Sequence, residues 1–140
     1  ADYFSHWLQV GESVGAKAEA AGNSLPKMFK VNWFRRDENG GFVWPGFGQN
    51  MRVLQWIIER CEGTANAVKT PIGLVPTYDD INWDQSDFIK AQFDLVTSQD
   101  KDLWIKELES HAELFEKLGE RMPEALKAHN AKLMADVTAA

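Results

Sequence analysis

No run of about 18 apolar residues occurs in the chain, so no segment has the length and hydrophobicity of a membrane-spanning helix. A single cysteine, Cys61, stands among 140 residues and excludes an internal disulfide. With no signal-peptide pattern at the start either, the expected compartment is a reducing cytoplasm. The common signatures of catalysis are missing too. There is no GxxxxGK[ST] loop, no GxGxxG, no CxxC and no GxSxG. His6, His111 and His129 lie far apart and lack metal-ligand spacing. Excess positive charge is also absent. The net charge of -6, from 15 basic and 21 acidic residues, argues against a nucleic-acid backbone as the main partner.

What is present reads as one soluble globular domain, residues 1–140. Hydrophobic residues make up 44% of the chain and charged residues 26%, enough for a core and too ordered a mixture for a disordered segment. The chain opens "ADYFSHWL", without an initiator Met and already apolar, which reads as a piece of a longer protein. Charge is uneven along it. Residues 27–60 carry Lys27, Lys30, Arg35, Arg36, Arg52 and Arg60 against Asp37, Glu38 and Glu59, a balance of +3. Residues 87–140 carry eleven acids and seven bases, a balance of -4. An anion is best received in the first of these segments.

Periodicity supplies the elements. Phe4, Trp7 and Leu8 fall at helical spacing in residues 2–20, ahead of Gly22. Residues 28–44 read as a β-hairpin, with "DENGG" as its turn and Asn39-Gly40 suited to positive φ. A helix from about residue 49 to 61 lines Met51, Leu54, Ile57, Ile58 and Cys61 on one face and stops at Gly63. Residues 64–85 form an irregular connector, in which Pro71, Gly73 and Pro76 exclude a regular helix and leave room for a short strand around residues 72–75. Three helices follow, near 86–96, 100–118 and 123–137. Trp104, Leu108, Phe115 and Leu118 form an apolar seam on the second, and Pro123 opens the third. The fold class is α+β: a small antiparallel hairpin or sheet with several packed helices.

Bland readings account for most candidate residues. His111, on an apolar seam, reads as a hydrogen-bonded core histidine, and Asp79-Asp80 as a solvated acidic pair. Cys61 reads as a small core residue. No nucleophile, base and orienter can be assembled, so no catalytic residue and no metal ligand is assigned.

The stretch "NWFRRDENGGFVWPGFGQN", residues 32–50, is different. It interleaves five aromatic rings with four glycines, a proline and two arginines. Phe34, Phe42 and Phe47 are candidate stacking faces around a slot. Trp33 and Trp44 read as packing behind it. The glycines flanking Phe47 allow close backbone approach, the helix that follows opens with unpaired N–H groups, and Asn50 offers a donor and an acceptor. Periodicity and composition alone favour core packing over a ligand slot and leave both open.

The same residues resemble a known family. "PKMFKVNWFRRDENGGFVWPGFGQNMRVLQWIIER" is similar to the guanine-binding segment of the GTP-dependent phosphoenolpyruvate carboxykinases. The wider pattern, from "DYFSHWL" through "NWFRRD" and "WPGFG.N" to "TPIG..P", covers residues 2–76 and resembles the C-terminal end of that family. ATP-dependent carboxykinases share the chemistry but not this stretch. The resemblance implies a parent enzyme, cytoplasmic and monomeric, that converts oxaloacetate and GTP to phosphoenolpyruvate, GDP and carbon dioxide in gluconeogenesis, with a divalent metal, Mn2+. It implies that Phe34, Phe42, Phe47 and Asn50 surround guanine and that Phe47, Gly48, Gln49 and Asn50 form the nucleotide-contact run. Arg35 and Arg36 fit the family's basic pair, without an assigned phosphate contact. The family's phosphate loop, metal ligands and oxaloacetate-binding arginines lie upstream of the matched segment, so this chain alone is expected to be inactive. Its partners are GTP and GDP directly, oxaloacetate and phosphoenolpyruvate through the rest of the parent, and neither nucleic acid nor membrane.

Two other readings stay open. One is a standalone aromatic-lined module that binds a ligand or a proline-rich peptide without catalysis. The other is a purely structural domain whose rings are all core.

Overall fold

The computed structural model describes residues 2–140. These residues form five α-helices and a two-stranded antiparallel sheet, an α+β arrangement divided into two compact units.

The first unit is built from residues 28–99. Its core is aromatic. Trp44, Trp56, Ile81, Phe88 and Phe93 are buried together, with Phe29, Trp33, Tyr78 and Trp83 packed against them. The rings meet edge-on or tilted, as their quadrupoles favour. Trp44 lies 5.5 Å from Phe88 and 5.4 Å from Trp33 between ring centres, and Trp83 lies 5.0 Å from Phe88. Trp33 and Trp44 thus pack in the core.

Helix α2 (Asn50–Glu62) is capped by Gly63 at φ 79°, a left-handed conformation that suits glycine and ends the helix where the sequence reading places its stop. The face it buries is not the expected one. Trp56 is the buried residue, flanked by partly buried Val53 and Ile57, because the largest ring gains most by leaving water. Met51, Leu54, Ile58 and Cys61 are exposed instead, which corrects the reading of Cys61 as a core residue.

The β-hairpin expected over residues 28–44 reduces to one antiparallel bridge, Arg36 with Phe42. Asp37 closes the turn: its carboxylate accepts from the Asn39 and Gly41 amides, and Gly40 alone takes positive φ. The ladder stops because Trp33 and Trp44 turn into the core and Pro45 has no N–H to donate. The regular sheet lies within the segment read as connector. Strand β1 (Val68–Thr70) pairs with β2 (Gly73–Val75) in the register Val68–Val75, Lys69–Leu74 and Thr70–Gly73. Asp80 caps the short 3-10 turn Tyr78–Asp80 by accepting from the Thr77 amide and hydroxyl, so it has a structural partner rather than a purely solvated place. Helix α3 (Lys90–Thr97) begins later than residue 86, after Ile89 in extended backbone.

The second unit joins residues 2–27 to residues 100–140. Helices α4 (Lys101–Leu118) and α5 (Glu124–Ala139) pack as a helical pair. Leu108 is fully buried between them, and Trp104, Phe115 and Leu118 are partly buried along the expected seam. Asp100 caps α4 by accepting from the Leu103 amide. Pro123 stands immediately before α5, one place outside the helix. His111 is not a core residue: it is half exposed and pairs with Glu107 one turn back on its own helix.

Helix α1 (Asp2–Ala20) buries no residue. Phe4 and Leu8 are half buried, but Tyr3, Trp7, Val10 and Val14 form an exposed apolar stripe at i, i+4, i+7 and i+11. A stripe of this kind marks a surface that another segment or partner covers. The purified 140-residue chain is therefore expected to bind an apolar-surface dye and to self-associate with concentration, and a W7E/V14E variant to lose both. A chain that stays monomeric at high concentration without dye binding contradicts this. No helix among the described residues is long and apolar enough to cross a membrane.

Candidate functional site

Residues 34–50 begin on the loop that carries the single bridge and end on the first residue of α2. Alternation about that bridge sends Trp33 inward and Phe34 outward. The outcome is three phenylalanine rings that do not belong to the core. Phe34 is 72% exposed, Phe42 55% and Phe47 90%. An exposed leucine is ordinary, but three large rings left wet within fourteen residues are not.

Phe34 and Phe42 come together edge-to-face, with ring centres 6.0 Å apart and planes at 63°. The Arg36 guanidinium sits 4.2 Å from the centre of the Phe42 ring and fixes that ring from one side. Among the described residues Phe47 forms no ring pair with either. It projects from the short 3-10 turn Phe47–Gln49, behind Gly46 at φ 111° and ψ -176°. That backbone position requires glycine, and it is what turns Phe47 away from the core that holds Trp44.

Gly48 plays the opposite part. Its φ is ordinary, and a Cβ built on it meets nothing within 4 Å. The protein itself has no need of glycine there.

The polar groups are partly spent. The Asn50 side-chain oxygen accepts the Trp44 indole N–H at 2.8 Å. The Gln49 side-chain oxygen accepts from Arg52 Nε at 2.5 Å. Arg52 also donates to the Asp84 carbonyl at 2.7 Å and to that of Asn82. Arg35 donates to the Ser98 carbonyl at 2.6 Å, the Ser98 hydroxyl at 2.7 Å and the Val96 carbonyl at 3.1 Å. Arg60 donates to the Ala65 carbonyl at 2.6 Å. The basic segment that reads as a landing place for an anion thus uses Arg35, Arg52 and Arg60 to tie loops to helix ends. Nothing in the sequence signals these bonds, since Arg35 and Ser98 are 63 residues apart.

No group of three or more His, Cys, Asp or Glu among the described residues is placed to hold a metal ion. A groove of about 660 Å³ lies in the other unit, along α4 and α5, and is lined by Leu108, Phe115, Asn130 and Met134. What residues 34–50 can do is present flat apolar faces, open backbone at Gly48 and one side-chain amide to a planar heteroaromatic ligand.

The family model of the phosphoenolpyruvate carboxykinase C-terminal P-loop domain matches residues 1–136. A phosphoenolpyruvate carboxykinase [GTP] of Paenarthrobacter aurescens (strain TC1) is 47% identical over 127 residues, 91% of this chain and 20% of the relative. One from Renibacterium salmoninarum is 43% identical over 125 residues, 89% of this chain and 20% of the relative. One from Treponema pallidum is 41% identical over 128 residues, again 91% of this chain and 20% of the relative. The chain spans about a fifth of the length of these curated relatives.

Proposed function

The chain belongs to the family of the phosphoenolpyruvate carboxykinase C-terminal P-loop domain, and on that premise we propose that residues 34–50 hold the guanine base of GTP. The parent enzyme converts oxaloacetate and GTP to phosphoenolpyruvate, GDP and carbon dioxide. The observation that carries this reading is the exposure of Phe34, Phe42 and Phe47 beside a backbone that leaves Gly48 open. A base that enters against these rings leaves water for aromatic faces, which is worth about 1–3 kcal/mol per stacked base. Stacking is blind to base identity, so choice among purines falls to hydrogen bonds from Asn50 and from the backbone of Phe47, Gly48 and Gln49.

Holding the base fixes one end of the nucleotide, so that the rest of the parent can align phosphates and carboxylate for decarboxylation and in-line phosphoryl transfer. On the same reading, the Mn2+ that the family resemblance brings is held by the rest of the parent. The 140-residue chain by itself is accordingly expected to show no oxaloacetate decarboxylation and no phosphoryl transfer. Turnover by the purified chain, abolished by substitutions within it, overturns that expectation.

Gly48→Ala in the full-length parent tests the reading. A methyl group there meets only open space in the protein, so stability is expected to stay within about 0.5 kcal/mol of wild type. GTP affinity is expected to fall about tenfold as the methyl group intrudes on the base, which corresponds to about 1.4 kcal/mol. Unchanged GTP affinity in Gly48→Ala removes the base from this loop. A parallel titration with a proline-rich peptide separates the reading from a peptide-binding module, for which the peptide, not GTP, saturates the site.

A further inference from the structure

We propose that Trp44 is a positioning residue for base selection: its indole N–H holds the Asn50 side-chain oxygen and so turns the Asn50 amino group toward the ligand. The inference rests on the guanine-site reading above and adds to it how the edge contact is set.

An indole N–H can only donate. The atom of the Asn50 amide that faces it at 2.8 Å must therefore be the oxygen, whichever way the amide would otherwise turn. Trp44 is itself fixed. It is 7% exposed and in ring contact with Trp33, Trp83 and Phe88, so its N–H is a rigid reference point. Asn50 is half buried on the first turn of α2, and among the described residues its amino group makes no hydrogen bond. The free end of the side chain is a donor with no competing acceptor.

That polarity has a chemical consequence. A donor at the purine 6-position edge complements a carbonyl oxygen and clashes with an amino group. A freely rotating asparagine serves both equally, since it can offer either end. Locking the oxygen against Trp44 removes the second option, and the side chain reads oxo against amino only because the core tryptophan holds it.

The experiment uses the full-length parent and measures dissociation constants for GDP, IDP and ADP. IDP keeps the 6-oxo group and lacks the 2-amino group of GDP. In Trp44→Phe a smaller aromatic ring stays and the N–H goes. The GDP-over-ADP and IDP-over-ADP preferences are expected to fall together by about tenfold, equivalent to about 1.4 kcal/mol. A merely structural role weakens all three nucleotides in parallel and leaves both ratios unchanged, and that result overturns the proposal. Asn50→Asp is the second variant and leaves the core ring intact. A carboxylate oxygen still accepts from Trp44, but the outward atom becomes an acceptor, so the 6-oxo preference is expected to vanish or reverse. Retained preference in Asn50→Asp also overturns the proposal. Phe47→Ala distinguishes the two levels: if it leaves GDP affinity intact, the base-site reading fails, whereas a loss of affinity alongside unchanged ratios in the two polar variants sinks only the role of Trp44.

Discussion

Phe47→Ala in the full-length parent is expected to weaken GTP binding roughly 5- to 150-fold, from the loss of about 1–3 kcal/mol of base stacking. The effect belongs on the nucleotide alone. Phe47 is 90% exposed and outside the aromatic core, so its removal costs the fold little. Binding of oxaloacetate or phosphoenolpyruvate is expected to stay near wild type, because the proposed site gives the ring to the base and leaves the acid to the rest of the parent. Equilibrium titration with GTP and with phosphoenolpyruvate, together with a thermal melt, separates these quantities. A folded Phe47→Ala enzyme with wild-type GTP affinity excludes the ring from the site.

Trp56→Ala is expected to show the converse, a large loss of stability from a residue that faces away from solvent. Trp56 is 4% exposed, meets Phe29 edge-on at 6.0 Å and donates its indole N–H to the Asn66 carbonyl at 3.1 Å. Alanine leaves a cavity and an unpaired carbonyl, and large-to-small changes of this kind cost about 3–5 kcal/mol. A domain of this size has about 5–15 kcal/mol in hand. The unfolding midpoint is therefore expected to fall by more than about 10 °C, at about 4–8 °C per kcal/mol. Trp56→Phe, which keeps a ring in the hole, should recover a good part of the loss. A melt for Trp56→Ala within a few degrees of wild type would mean that α2 is not anchored by this residue. Since α2 begins at Asn50, the site would then lack the support assigned to it.

The sequence carried the elements unevenly. Helices α1 and α4 were legible because their apolar residues recur at helical spacing, with Gly22 beyond the first, and α5 because Pro123 marks its start. The hairpin over residues 28–44 was misread because aromatic enrichment is a sign of strand and of core alike. Trp33 and Trp44 went to the core, and the ladder shrank to Arg36 and Phe42. The strand expected around residues 72–75 is β2, but its partner β1 escaped because a three-residue strand carries almost no periodic signal. On α2, periodicity pointed to the face of Met51, Leu54, Ile57, Ile58 and Cys61, and only the tertiary competition for burial showed that Trp56 would win.

The candidate site was legible as a list of residues but not as a geometry. Glycine, proline and aromatic spacing drew attention to Phe34, Phe42, Phe47 and Asn50, while favouring a core role for the rings. Their exposure came only with the fold. The bonds from Trp44 to Asn50 and from Arg35 to Ser98 had no local pattern to announce them, because hydrogen bonds between side chains and distant carbonyls obey no sequence period.

The central claim is that a guanine base lies against Phe34, Phe42 and Phe47. Its most direct test is nuclear Overhauser transfer in the full-length parent, with carbon-13-labelled phenylalanine rings and saturating GDP. The account predicts transfer from the guanine H8 proton to ring protons of these three residues, assigned through single Phe→Leu variants. GDP that is demonstrably bound, yet transfers to none of the three rings, would contradict it.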